Sequence, residues 1–350
     1  MRKYIIVFSI SLIIAAANFY GCLKDKITPP VENPLKESGE LLFYLEDNGD
    51  YINSSAMPSL VDVDEVHSNI QYYLLLDIRK PDEFSAGHIQ NAINKIPSEL
   101  IAYLDSINYQ QIPKIIIISK NGQSSAYYTC LLRLYGFNNT FSMSYGMAAW
   151  NQAFSDEWLA ALNFDYTLLS DYSDVNVPKP PFTPLPEISL SGTSLEDRVK
   201  NRIKNLMMIN FEDYLIESEG TATINYGWLM AFSDEYLIVC YDTTFLYKDI
   251  MDGIFHPAEA ISLHPAPNSE LSSTEYLQSI PSNKKSAFYS TNGQLTAFVT
   301  AYLRLLGYDA RSVLFGANNM YYDLLLQSDA FGDEAFSNDK IRDYPFVNEK

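Results

Sequence analysis

Residues 119–137 read SKNGQSSAYYTCLLRLYGF, and residues 290–308 read STNGQLTAFVTAYLRLLGY. Aligned without a gap, ten of the nineteen positions are identical: Ser119/Ser290, Asn121/Asn292, Gly122/Gly293, Gln123/Gln294, Ala126/Ala297, Thr129/Thr300, Leu132/Leu303, Arg133/Arg304, Leu134/Leu305 and Gly136/Gly307. Each stretch comes after an apolar run, KIIII (114–118) and SAFY (286–289), of the kind that forms a strand buried on both faces. The copies lie 171 residues apart (290 minus 119). A solenoid repeats every ~20–50 residues, so this spacing indicates two copies of one domain. In each copy a strand runs through an Asn-Gly turn into a helix that closes on a glycine. A helix N-terminus at such a corner points its free N–H groups outward and favours anions.

Working outward, strands and helices alternate. YYLLLDI (72–78), KIIIIS (114–119) and TFSM (140–143) read as strands of the first copy, IPSELIAYLDSI (96–107) has helical spacing, and Gly146 opens a last helical part. The second copy repeats the order with EYLIVCYD (235–242), SAFYS (286–290), a helix over 295–306, and ARSVLF (310–315) before Gly316. This pattern predicts an α/β fold of two domains, each a mostly parallel sheet with helices on both faces. A helix and turn lead in over residues 40–53, and the first domain is expected over 40–168. Pro178, Pro180, Pro181, Pro184 and Pro186 mark a semi-rigid linker, 169–193. The second domain is expected over 194–328, its first helix (195–217) opened by a capping box at Thr193–Glu196. Residues 329–350 read as an acidic, solvated tail.

The chain has 350 residues, 47% of them hydrophobic and 14% aromatic, ample for packed cores. Its formal net charge of -19 repels nucleic acid and anionic head groups, and acts otherwise as a solubility property. Three cysteines (Cys22, Cys130, Cys240) and four histidines show no metal-ligand spacing, so no metal and no cofactor is expected. Arg2 and Lys3 precede an apolar run from Ile5 to Ala17, the layout of a signal peptide over residues 1–21. Gly21-Cys22 resembles the lipobox of bacterial lipoproteins. That resemblance implies acylation of Cys22, a tether over 22–39, the lipid bilayer as a partner, and, with Leu23 next in the chain, the periplasmic face of the outer membrane. An ordinary secretory signal with a chance cysteine reads the same segment without lipid; both readings export the protein.

Three pieces of the first half together resemble the rhodanese family: LLLDIRKPDEFSAGHIQNAINKIP (74–97), IIIISKNGQSS (115–125) and LLRLYGF…SYGMAAW (131–150). The resemblance covers about residues 50–152. In the second half HPAEAISL (256–263) stands where His88 to Lys95 stand, with Asp242 as the strand-end carboxylate, so the whole resembles a tandem rhodanese-like protein. The family carries sulfane sulfur as a persulfide on a cysteine that opens the loop, in a pattern C-x-x-G-x-R-S. Here the resemblance puts Ser119 and Ser290 at the cysteine position, and Ser124 and Leu295 at the arginine position.

A persulfide cannot form on oxygen, and a serine attacks only with an adjacent base. His88 and His256 could supply one, but in the family that histidine belongs to the turn before the next strand. Cys130 lies in the helix, about three turns past the loop start, and Cys240 in a strand; both read as small buried hydrophobes. No catalytic residue is therefore expected. The surviving cradle is a candidate anion-binding loop: Ser119, Lys120, Asn121, Gly122, Gln123 and Ser124 in the first copy, Ser290, Thr291, Asn292, Gly293 and Gln294 in the second. The plainer reading is that S-x-N-G-Q keeps the turn, its Asn and Gln side chains tying down the loop. Asp77-Ile78-Arg79 with Asp82 and Glu83 could pass for a metal or acid–base cluster, but in the family context Asp77 and Arg79 read as fixing the loop's neighbourhood. The expected function is an envelope-anchored binding or scaffold module for an unknown protein or small anion. The alternative is an active thiosulfate or sulfane-sulfur transferase, or an oxyanion-ester hydrolase, using the Ser119 or Ser290 loop.

Overall fold

The structure is a computed structural model, and it describes residues 37–162, 172–173, 175–211, 219–242, 256–265, 269–327 and 332–349. The expected signal peptide, the acylation site Cys22 and most of the tether lie outside the described residues, as does part of the linker. Among the described residues no helix is long and apolar enough to cross a membrane.

Two five-stranded sheets carry the chain, and all their internal pairings are parallel. The first holds β1 (Leu60–Val61), β2 (Leu74–Asp77), β3 (Ile93–Asn94), β4 (Ile115–Ile118) and β5 (Thr140–Met143), in the order β1-β5-β4-β2-β3. The second holds β6 (Thr223–Ile224), β7 (Tyr236–Tyr241), β8 (Ile261–Leu263), β9 (Lys285–Tyr289) and β10 (Ala310–Val313), in the order β6-β10-β9-β7-β8. Counted from each sheet's first strand the two orders are the same, so the sequence repeat is a repeat of topology. Both apolar runs, β4 and β9, are central strands, as continuous hydrophobicity requires.

Four of the longer helices accompany the sheets: α1 (Glu37–Asp47), α2 (Gln123–Tyr135), α3 (Leu195–Met207) and α4 (Gln294–Leu305). The repeated helices α2 and α4 lie against each other, α3 packs on both, and α1 packs on α3. The period of two along each strand divides the side chains between two faces. Ile115 and Ile117 join Leu76, α2 and α4 in a core that also takes Val239 and Phe288 from the second sheet. Ile116 and Ile118 face the other way, into a cluster with Met143, Met147 and Trp150. The opposite face of the second sheet buries Ile238, Cys240, Tyr289 and Met320. The central core thus belongs to both sheets at once.

Three elements depart from the sequence reading. The tether's last residues, 37–39, already belong to α1, whose Ser38 and Gly39 are buried. The cap of α3 sits one residue later than expected: Ser194, not Thr193, accepts Asp197 N–H at 3.1 Å. The helix then ends at Met207 rather than running to 217, because Tyr128 captures the chain. Its hydroxyl donates to Ile209 O at 2.6 Å and accepts Phe211 N–H at 3.2 Å.

The expected solvated tail is instead a strap across the first sheet's domain. Phe336 is fully buried with Trp158 and Phe315. Trp150 Nε1–H donates to Pro345 O and Asn151 Nδ2–H to Tyr344 O. His88 and Val347 exchange backbone hydrogen bonds at 2.8 and 2.9 Å, and Tyr344 stacks on His67 at 3.7 Å. The acidic composition misled because it hid the spacing of Phe336, Tyr344 and Phe346, which supplies the apolar contacts.

Candidate functional site

The two repeated corners meet. Gly122 (φ 88°) and Gly293 (φ 75°) turn the chain from strand into helix in the left-handed region, where a side chain is strained. Each loop is seated by a second glycine. Gly146 (φ 58°) lets Met147 N–H reach Ser119 O at 2.9 Å, and Gly316 (φ 53°) lets Ala317 N–H reach Ser290 O at 2.9 Å. A Cβ on either would overlap that carbonyl oxygen.

Within the first loop the amides converge, and they converge on the chain's own oxygen. Ser119 Oγ accepts Gly122 N–H at 3.1 Å and Ser125 N–H at 3.2 Å, and donates to Ser125 Oγ at 3.0 Å. Ser125 in turn donates to Gly122 O and meets Ser142 Oγ at 2.8 Å. Asn121 Oδ1 accepts Gln123 N–H at 3.0 Å. The second loop repeats this with Ser290 Oγ on Gly293 N–H (3.2 Å), Asn292 Oδ1 on Gln294 N–H (3.1 Å), and Thr296 Oγ1 on Gly293 O and Ser312 Oγ. It differs where Lys120 becomes Thr291, whose N–H and Oγ1–H both donate to Asp242 Oδ2 at 2.8 Å.

The glutamines do something else: each crosses to the other domain. Gln123 Oε1 accepts Phe315 N–H at 2.8 Å, and its Nε2 reaches Val313 O at 3.3 Å. Gln294 Oε1 accepts Tyr145 N–H at 2.7 Å. Tyr145 (φ 57°) and Phe315 (φ 61°) occupy equivalent left-handed positions just before the seating glycines. Such backbone costs a non-glycine residue about 1–2 kcal/mol; the captured N–H offsets part of it. Each glutamine amide also lies over the opposite loop glycine, where a Cβ would collide with it.

The consequence is burial. Ser119 and Ser290 are each 1% exposed, and Asn121, Gln123, Ser124, Thr291 and Gln294 are buried with them. Lys120, half-buried, is paired to Glu157 at 3.6 Å and Glu83 at 4.0 Å; burial raises the Glu157 carboxyl above its ordinary range, with Lys120 opposing. In the candidate anion-binding loops the N–H groups of Gly122, Gln123, Ser125, Gly293 and Gln294 are taken by serine and asparagine oxygens, and Lys120 is paired with two carboxylates. Of the two readings, loop-tying describes Asn121 and Asn292, while Gln123 and Gln294 tie the two domains.

No serine–histidine pair forms among the described residues. His88 Nδ1–H donates to Phe84 O at 2.9 Å and its ring stacks on Phe84 at 3.7 Å; His256 Nδ1–H donates to Pro257 O at 2.9 Å. Asp77 and Arg79 form a buried two-point ion pair (2.6 Å at the closest), and Arg79 also donates to Gly87 O. They hold the neighbourhood as the sequence indicated. Cys130 and Cys240 sit in the two cores rather than at the loops, and burial pushes both thiols up. Among the described residues no group of His, Cys, Asp and Glu could hold a metal ion. Sequence reasoning missed Tyr145 and Phe315, although SMSYG (142–146) and SVLFG (312–316) carry the signal: extending the repeat past the helix aligns both aromatic-glycine pairs.

The parallel order of the first sheet and a loop of converging amides at the end of its central strand are the architecture of a sulfurtransferase-type domain. A family model described as the rhodanese-like domain matches residues 62–153. A thiosulfate sulfurtransferase GlpE of Pseudoalteromonas translucida (strain TAC 125) is 30% identical over 84 residues, which are 24% of this chain and 78% of that protein. The chain belongs to the rhodanese family. Among solved structures, a rhodanese-related protein from Thermoplasma volcanium is 28% identical and aligns with 28% of this chain and 90% of its own (TM-score 0.23). A thiosulfate sulfurtransferase from Pseudomonas aeruginosa is 12% identical and aligns with 86% of this chain and 68% of its own (TM-score 0.24).

Proposed function

We propose that this chain is a tandem rhodanese-like protein without sulfurtransferase activity, a binding or scaffold module held at the cell envelope through acylated Cys22. In this reading Ser119 and Ser290 stand where the family places its cysteine. The observation that carries it is the state of the Ser119 hydroxyl. It lies where the amides converge, 1% exposed, with hydroxyl and amide partners and no base among the described residues. An unactivated, sealed hydroxyl is a poor nucleophile, and oxygen cannot carry the persulfide. The partner is then a protein recognised by the outer surface, not an anion in the loops, and the charge of -19 excludes nucleic acid.

The test of inactivity is incubation of the full chain with thiosulfate and cyanide. No thiocyanate above blank and no mass gain of one sulfur atom are expected; thiocyanate formation lost on Ser119→Ala or Ser290→Ala would establish transferase activity instead. Anchoring is tested in cells of a Gram-negative host. The protein should sediment with membranes and take up labelled palmitate, and Cys22→Ser should release it; a Cys22→Ser protein that stays membrane-bound would refute the lipid anchor.

A further inference from the structure

We propose that an open cavity at the end of the second sheet where β6 and β10 begin, opposite the loops, binds a phosphate- or sulfate-type oxyanion. The cavity encloses about 770 Å³ and is lined by Arg202 and Asn205 of α3, Arg304 at the end of α4, Arg311 of β10, Glu219 and Thr221.

Among the described residues its charges do not cancel. Arg311 takes the two nearby carboxylates, Glu219 at 2.8 Å and Asp309 at 3.2 Å. Glu219 is shared with Lys285 at 3.0 Å, and Asp309 is the carboxylate of Arg304 as well, at 3.6 Å. Arg202 has no carboxylate partner among the described residues. Its Nε–H and Nη2–H donate to Leu305 O and Arg304 O, the last carbonyls of α4. Arg304 Nε and Arg311 Nε are buried without an acceptor, as is Arg133 Nε in the first copy. Burial, and next the neighbouring Arg304, depress the Arg202 pKa, as expected of like charges facing each other with too little compensation.

The repeat supplies an internal control. Arg133 is the first-copy counterpart of Arg304. Both donate Nη1–H to the opening carbonyl of the next strand, Thr140 O at 2.9 Å and Ala310 O at 3.2 Å, so tying helix to strand is the shared structural task. In the first copy the Arg133 guanidinium is covered by the rings of Tyr51 (5.0 Å) and Phe141 (5.4 Å). In the second copy Arg304 shares the wall of the cavity with Arg202 and Arg311. Arg202 also closes the end of α4 and Arg311 also ties Gly220, so each carries a structural bond beside the cavity. Planar guanidinium edges match the oxygen pairs of phosphate and sulfate, and in so acidic a chain this is a local inversion of sign.

Anion binding here is independent of the function proposed above. It is tested on the full chain by calorimetry with sodium phosphate and sodium sulfate, ionic strength held constant with sodium chloride. One saturable site is expected for at least one of the two ions, whichever binds naming the anion, with a matching rise in thermal midpoint that acetate does not produce. Asn205→Asp places a carboxylate at the exposed wall without removing a described side-chain bond. It should weaken binding by about tenfold or more, as a like charge at a partly desolvated site does. Arg202→Gln should abolish it. Absence of saturable binding of both ions to the unaltered chain, or binding undiminished by Asn205→Asp, would overturn the proposal. If Arg202→Gln fails to fold, the Asn205→Asp comparison decides.

Discussion

At the scale of single residues, the loop serine and the loop glutamine have opposite reach. Ser119 and Asn121 satisfy amides of their own turn, which local spacing makes legible: Asn and Ser bond backbone two or three residues on. Gln123 and Gln294 were legible only as loop ties, because the groups they bond, Phe315 N–H and Tyr145 N–H, lie 192 and 149 residues away. No periodicity reports such a partner. Gln123→Ala strands Phe315 N–H and Val313 O in a buried site. At about 1–3 kcal/mol per stranded group, the loss should be roughly 2–6 kcal/mol, read from the midpoint of urea unfolding; a loss under about 0.5 kcal/mol, the range of ordinary surface substitutions, would mean the crossing amide is incidental. Ser119→Cys would place a thiol among converging amides that favour the thiolate, yet within 1% exposure. Its reaction with a disulfide reagent should therefore be limited by opening of the two loops, and Gln294→Ala should speed it. Labelling as fast as a free thiol in the single variant would contradict the sealing.

Elements were read well where pattern and neighbours agree. The apolar runs became central strands, and the second repeated helix begins and ends within a residue of expectation. The helix after the linker was read too long, since its stop is a tertiary event: Tyr128 seizes Ile209 O and Phe211 N–H. A second tertiary tie has a titration signature. Lys114, at the mouth of β4, hydrogen-bonds Glu65 at 2.5 Å and holds its carboxyl below the ordinary 4.5, with Tyr73 assisting. A folded-state pKa below the unfolded one gives stability present above pH 4.5 and lost as pH falls through the folded value. Glu65 should titrate below 4.5 in carbon-detected NMR, and Lys114→Met should return it upward; an unmoved Glu65 in that variant would exclude Lys114 as the cause.

For the molecule as a whole, the sequence announced two domains and was right about two sheets, but it implied a boundary the packing does not respect. One apolar core takes Ile117 from the first sheet and Phe288 from the second. Glu46 of α1 accepts Ser273 N–H and Oγ–H in the second half, while Arg342 and Tyr344 bind Asp64 in the first. Heat or urea should therefore unfold residues 37–349 in one transition, with calorimetric and van't Hoff enthalpies equal; two separated transitions would show that the halves are independent. Removing residues 341–350 should lower stability and expose the amide of His88 to hydrogen exchange, since that N–H donates to Val347 O. The strap carries one more implication, for synthesis. A ribosome releases residues 85–151 long before it reaches Tyr344 and Val347, so the surface those residues cover stays bare while nearly two hundred more are added. The half of the protein made first is finished last, and a nascent chain stalled short of residue 340 would be a substrate for chaperones.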